Sequence, residues 1–181
     1  MHNKSKTFDL VYIAIATVII AVCSWISIPT IIPFTMQTFA VFFVLSYFGG
    51  KRGTAAIVVY LILGLIGIPV FANFTGGVGV LLGTTGGYVV GFVFIGLIYW
   101  LATQIWGNKL WIEIAALLVG LVVLYTFGTV WYIKVYASKT GAIGILTALT
   151  WCVFPFILPD LLKLGLALML ARRIAAIQKK V

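Results

Sequence analysis

Two ionisable side chains, Asp160 and Lys163, stand in the stretch Trp151-Cys-Val-Phe-Pro-Phe-Ile-Leu-Pro-Asp-Leu-Leu-Lys163, among the most apolar in the chain. Three residues apart, they share one face of a helix. An ionisable pair in apolar surroundings costs several kcal/mol unless other contacts offset it. Two readings fit: an ion pair that fixes helix packing, or a pair that meets a polar ligand. We favour the ligand, because irregular segments converge on this position in the topology derived below. The chain has three acidic residues, Asp9, Glu113 and Asp160. Asp9 precedes the first apolar run and Glu113 lies near a loop, so Asp160 alone is expected to be buried.

Other chemistry is excluded by what the sequence lacks. His2 is the single histidine and sits in the N-terminal tail, so no Ser/His/Asp or Cys/His set can form. Cys23 and Cys152 lie in apolar surroundings at no metal-ligand spacing and read as packing thiols. The Gly-rich stretch contains no Gly-Lys-Ser/Thr, and after Gly77-Val-Gly79 it has Leu82 where a GxGxxG fingerprint needs glycine. The chain is therefore expected to be no enzyme, to hold no metal or cofactor, and to use no ATP of its own.

The elements that position Asp160 and Lys163 follow from composition. Of the 181 residues, 64% are hydrophobic and 8% charged, whereas a soluble domain carries about 25% charge. The chain reads as one integral membrane domain over 1–181. Its +9 net charge is spread between apolar runs, the signature of membrane topology rather than of nucleic-acid binding. A membrane-crossing helix needs about 20 apolar residues. The sequence predicts six crossings, at 10–28, 38–48, 54–68, 88–106, 110–136 and 159–179, with a short helix over 142–153. The second and third are short, and fit an oblique or partial crossing. Residues 10–28 are too long for a signal-peptide core and lack a clear cleavage site, so we read them as a retained span. The last helix is expected to begin at Pro159, because proline suits the first helical position; Asp160 would then enjoy the favourable N-terminal dipole.

Six crossings put both termini on one side. Lys4, Lys6, Lys51, Arg52, Lys109, Arg172, Arg173, Lys179 and Lys180 fall there; Lys134 and Lys139 fall opposite, and Lys163 lies in a span. Excess cations mark the cytoplasmic face, so both termini are expected to be cytoplasmic. The segments around Pro29 and Pro33, the Gly-rich stretch 69–87 and the start of the last helix then all face outward. The stretch 69–87 is too apolar for a solvated loop and too Gly-rich for a stable helix, which suits a segment lining a cavity. A ligand site is expected in the outer half of the membrane, under apolar loops.

Further candidates surround it. Thr35 and Gln37 stand among apolar neighbours in Pro33-Phe-Thr-Met-Gln-Thr38; they fit ligand contact and helix capping equally well. Gly83, Gly87 and Gly91 recur every four residues, as on a close-packing helix face, and Tyr88 beside them is a ligand candidate at the cavity edge. In the first helix Ala14, Thr17, Ala21 and Ser24 form a small-residue stripe that suits internal packing or a partner subunit equally.

Together these residues resemble the BioY family, the biotin-specific substrate-binding (S) components of energy-coupling-factor (ECF) transporters. The resemblance rests on Pro33-Phe-Thr-Met-Gln-Thr-Phe39, Gly67-Ile-Pro-Val-Phe-Ala72, Gly83-Thr-Thr-Gly-Gly-Tyr88 with Gly91-Phe92, and Pro155-Phe-Ile-Leu-Pro-Asp-Leu-Leu-Lys163. Thr84 stands where the family pattern has proline, and the first-helix stripe is looser than the family's Ala-rich one. The resemblance implies biotin capture at the plasma membrane of a prokaryote, and a complex with a transmembrane coupling subunit and two cytoplasmic ATPases. It implies that Asp160 accepts from a ureido N–H and that Lys163 meets a ligand acceptor. It also implies that Phe34, Phe71, Tyr88 and Trp151 give apolar contact, that Gly86 adjoins the ligand, and that Ala14, Thr17 and Ala21 face the partner. The alternative is a self-sufficient ion-coupled transporter or channel, which would want coupling carboxylates or inverted repeats; one membrane acid and no visible repeat speak against it.

Overall fold

The computed structural model describes residues 2–28 and 32–178, with side chains from Lys6 onward. Pro29, Lys179, Lys180 and the expected helix end at 179 lie outside the described residues, as does the side chain of Lys4.

Helix α1 spans His2–Trp25, starting earlier and ending earlier than the expected 10–28. After Trp25 the chain turns extended, and β1 (Ser27–Ile28) pairs antiparallel with β2 (Phe34–Thr35). The physical reason is proline: the residue before it is driven out of the helical region, and Ile28 precedes Pro29.

Helix α2, Gln37–Phe48, buries eight of its twelve residues. It is apolar on every side, and such a helix belongs at the centre of a bundle. It packs against α1, α3, α5 and α8 accordingly. Gly49 ends it at φ +84°, and α3 starts at once, spanning Gly50–Leu65 rather than 54–68. Lys51 and Arg52 are therefore the first turn of a helix, not a break between two. Glycine permits this: a Cβ on Gly50 would come within 2.6 Å of the Trp100 Cα.

The Gly-rich stretch is mostly irregular, as expected. It holds one 3-10 turn, Ala72–Phe74, and one helical turn, α4, Val78–Leu81. Then come α5 (Gly86–Trp106), α6 (Leu110–Thr140), α7 (Ile145–Cys152) and α8 (Phe154–Gln178). The helices form an arc around α2: α6 packs on α5, α5 on α3 and α3 on α1, α7 links α6 to α8, and α1 and α8 both pack on α2.

Helix α8 corrects the expected start at Pro159, which lies inside it. The amides of Phe156 and Ile157 bond to the Val153 carbonyl, 2.9 and 3.2 Å away, so α8 grows almost directly from the end of α7. Pro155 occupies the first turn, where a missing N–H costs nothing. Pro159 then removes only the bond to the carbonyl of residue 155. Asp160 is well past the first turn, so an N-terminal dipole does not account for its charge.

Among the described residues four helical stretches are long and apolar enough to cross a membrane: Lys6–Trp25, Gly86–Trp106, Leu110–Thr140 and Ile145–Gln178. Helices α2 and α3 are about 18 and 24 Å long at the usual rise.

Two further expectations change. Glu113 is buried, 6% exposed, and accepts a bond from Arg172 Nη2 at 3.1 Å, so Asp160 is not the sole buried acid. A loop in sequence lies beside the residue, but the first turn of α6 packs inward. The small-residue stripe on α1 is also spent internally. Thr17 and Ala21 are buried, and Thr17 Oγ1 donates to the carbonyls of Ile13 and Ala56. Only Ala14 of the three expected docking residues is exposed.

Candidate functional site

At one end of the bundle three irregular pieces meet the ends of α1, α2, α5 and α8. The hairpin β1–β2 leads into α2, and Met36 N–H bonds to the Ile26 carbonyl at 3.0 Å. The strap 69–75 is clipped down by the end of α1. Trp25 Nε1 donates to the Pro69 carbonyl at 2.9 Å, Ser24 Oγ to the Val70 carbonyl, and Ser27 Oγ to Asn73 Oδ1 at 2.8 Å. Phe74 stacks on Trp25 with ring centroids 5.0 Å apart. The strap closes on itself through a bridge between Phe71 and Thr75. Asn73 and Phe74 both take φ +56°, a left-handed conformation that costs non-glycine residues energy and clusters at functional sites. Gly64 lets the strap come close, since a Cβ there would strike the Phe71 ring.

These pieces enclose a cavity of about 170 Å³. Its polar corner is built from α8, α6 and the hairpin. Lys163 Nζ lies 2.9 Å from Asp160 Oδ1 and donates to the Thr35 carbonyl at 2.8 Å. Its charge also sits 4.1 Å above the Phe34 ring, a favourable cation–π placement. Tyr125 donates to Asp160 Oδ2 at 2.7 Å. Asp160 and Lys163 are 3% and 5% exposed, so both charges depend on these contacts.

The hydrogen-bond inventory shows what is left over. An ammonium has three donors and a carboxylate about four acceptor sites. Lys163 uses two donors here, and Asp160 accepts two bonds. One cationic donor and about two anionic acceptor sites are therefore open to a ligand. The remaining wall is apolar and aromatic: Phe71, Phe92, Leu124 and Phe156, with the hydroxyls of Tyr88 and Thr35, the amides of Gln37 and Asn73, and the Cys152 thiol. A small polar-headed molecule with donors beside an acceptor fits such a corner, and an apolar body fits the wall.

Of the expected site residues, Thr35, Gln37, Phe71, Tyr88, Asp160 and Lys163 all line this one cavity. Besides lining the cavity, Thr35 accepts at Oγ1 from the Gln37 backbone N–H at 3.2 Å, at the start of α2. Gln37 Nε2 donates to Tyr60 Oη at 2.8 Å, and Tyr88 Oη bonds to Thr129 Oγ1 at 2.9 Å. Three expected contacts do not reach the cavity wall. Phe34 sits behind it, under Lys163 and stacked on Phe156. Gly86 faces the Leu81 carbonyl, where a Cβ would collide, so its smallness serves the tight entry to α5. Trp151 is 38% exposed and packs edge-on against Tyr136; the break at Val153 turns it away, and Cys152 and Phe156 line the site instead. The glycines divide as well: Gly87 and Gly91 let α5 approach Trp131 and Leu124 of α6, whereas Gly83 precedes the helix.

Sequence reasoning missed Tyr125, Asn73, Cys152 and Phe156. Tyr125 had a usable signal, since a buried carboxylate needs donors and a tyrosine in mid-span can supply one. Asn73 had one too, as the lone amide in Phe71-Ala-Asn-Phe.

The BioY family model matches residues 1–180. A biotin transporter BioY of Thermotoga maritima is 37% identical over 171 residues, covering 94% of this chain and 97% of the relative. A probable biotin transporter BioY of Pyrococcus horikoshii is 35% identical over 173 residues, covering 94% and 97%. The crystal structure of an S-component for biotin from an ECF-type ABC transporter superposes with a TM-score of 0.83 at 26% identity, over 97% of this chain and 95% of that one.

Proposed function

This chain belongs to the BioY family, and from that membership we infer that it takes up biotin as the S component of an ECF-type transporter. It works as a transporter subunit and not as an enzyme. The observation that carries the reading is the open valence of the buried Asp160–Lys163 corner at the head of an aromatic cavity.

Biotin carries a ureido group with two N–H donors and a carbonyl, an apolar thioether bicycle and a carboxylate. Asp160 accepts from a ureido N–H. The third Lys163 donor meets a biotin acceptor, either the ureido oxygen or the carboxylate. Phe71, Tyr88 and Phe156 enclose the bicycle, and Gln37, Thr35 and Asn73 supply the other polar contacts. Phe34 acts indirectly, by holding the Lys163 ammonium.

The chain crosses the membrane six times, with α2 and α3 as two short crossings and α7 joined to α8 in the last. Both termini, Lys51, Arg52 and Lys109 face the cytoplasm of a prokaryotic cell, and the biotin cavity faces outward. This orientation is supported by the excess of cations at one end. A transmembrane coupling subunit and two cytoplasmic ATPases supply the energy. The outer face of α1, including Ala14, is the surface offered to the coupling subunit.

Equilibrium titration of the purified protein with biotin tests the reading. Saturable one-site binding is expected, as is ATP-dependent uptake only when the coupling subunit and ATPases are present. An unresponsive titration refutes the ligand assignment, and full uptake without the partners refutes the S-component role.

A further inference from the structure

A second cavity, of about 450 Å³, lies at the opposite end of the bundle, around the start of α3. Asp9, Lys51, Arg52, Trp100, Gln104 and Asn108 supply its polar and aromatic rim. Its charges are unbalanced. Arg52 Nε donates to Asp9 Oδ1 at 2.7 Å, and its guanidinium also lies 5.1 Å from the Tyr12 ring centre. Among the described residues Lys51 has no ion-pair partner. Two cations against one carboxylate leave one net positive charge.

The backbone adds to this field. The helical ladder of α3 begins with Gly53 N–H bonded to the Gly49 carbonyl. No side chain caps the helix, and its first turn holds no acid. A helix N-terminus favours negative charge; this one carries Lys51 and Arg52 instead of an acid, and the one carboxylate of the rim, Asp9, is paired with Arg52, so the helix end and the unpaired Lys51 both attract an anion.

An apolar track leads from the rim into the membrane. Lys51, Ala55, Val58 and Ile62 follow the same face of α3 at helical spacing. Ala55 lines the cavity, and Val58 and Ile62 are 38% and 50% exposed. A cationic rim above an apolar track has the form of a lipid, head and tail.

We propose that the groove formed by Lys51, Arg52, Gln104 and Asn108 binds the phosphodiester of an anionic phospholipid, whose acyl chain lies along Val58 and Ile62. The single net charge of the rim matches one phosphodiester. A zwitterionic headgroup brings its own cation into the same groove and is disfavoured. Gln104 and Asn108 donate to the phosphate or glycerol oxygens, and Trp100 sits at headgroup depth, where tryptophan is favoured. The site lies at the other end of the bundle from the biotin cavity and stands independently of it.

Native mass spectrometry of the purified protein with equimolar dioleoyl phosphatidylglycerol and dioleoyl phosphatidylcholine tests this. Preferential retention of one phosphatidylglycerol is expected. Lys51→Gln should cut that retention about fivefold, the worth of one cation near an anionic lipid. Lys109→Gln, an exposed cation outside the groove, should change nothing, and biotin titration of Lys51→Gln should match the parent. Equal retention of the two lipids overturns the proposal, as does full retention by Lys51→Gln. Displacement by excess glycerol 3-phosphate makes this a site for free anions and overturns it too. So does loss of coupling-subunit assembly in Lys51→Gln with lipid retention intact, which makes the groove a protein contact.

Discussion

If the Asp160–Lys163 pair exists for its ligand, removing both charges should spare the fold and abolish binding. Asp160 is held by Lys163 at 2.9 Å and Tyr125 at 2.7 Å, and Lys163 by Asp160 and the Thr35 carbonyl at 2.8 Å. Lys163→Met leaves a buried carboxylate with one neutral donor. Asp160→Asn leaves a buried ammonium with neutral acceptors alone, the Thr35 carbonyl and the new amide oxygen, beside the Phe34 ring. Breaking a buried pair from one side costs about 3–5 kcal/mol, whereas replacing both charges by neutral groups is often near neutral. Independent effects would put the double variant about 6–10 kcal/mol below the parent. The pair account puts it above either single variant, a coupling of about 3 kcal/mol or more. Reversible unfolding in mixed detergent micelles reads these differences, and biotin titration runs on the same samples. Truncating a buried charged contact costs about 2–5 kcal/mol of binding, so all three variants should lose affinity by about 30-fold or more. A double variant as unstable as the sum of its parts would refute the pairing argument. A double variant that binds biotin like the parent would leave the charges structural.

Three other outcomes follow from the geometry. Trp151→Ala should leave biotin affinity within about twofold, since the ring rests on Tyr136 outside the cavity; a tenfold loss in titration would return it to the site. Cys152 lines the cavity, so in a Cys23→Ala background saturating biotin should slow its alkylation by a small thiol reagent, and an unchanged rate would count against the cavity as the biotin site. Arg172→Gln strands the buried Glu113 carboxylate and should lower stability by about 1–3 kcal/mol, with Glu113→Gln restoring much of it. Biotin affinity should not move in either case, because Arg172 lies about 18 Å along α8 from Asp160.

The features legible in the sequence were those that burial makes costly. A charged pair in apolar sequence had to be paired and enclosed, and Asp160 and Lys163 are. A Gly-rich apolar stretch had to lie against protein, and 69–85 straps the cavity. What misled was local punctuation overridden by packing. Pro159 signalled a helix start, yet a proline one turn inside a helix loses only one backbone bond, and the carbonyl of Val153 had already begun α8 upstream. Trp151 was a ligand contact by the family resemblance; the kink at Val153 points it elsewhere, against Tyr136. The α1 stripe showed that a helix approaches closely but not which one, and it proved to be α3, through Thr17 and Ala56. Glu113 looked exposed from its nearness to a turn, since its partner Arg172 is 59 residues away. Tyr125 and Asn73 carried a signal in residue type alone; their partners, Asp160 and Ser27, are 35 and 46 residues away and local pattern does not encode such contacts.

The most direct test of the account is a structure of the protein with biotin bound. The account predicts biotin in the cavity between the 69–75 strap and α8, with a ureido N–H on Asp160 and a biotin oxygen on Lys163, each within hydrogen-bond distance. Biotin seated elsewhere on the bundle, or in the cavity with neither charge touching it, would contradict the account.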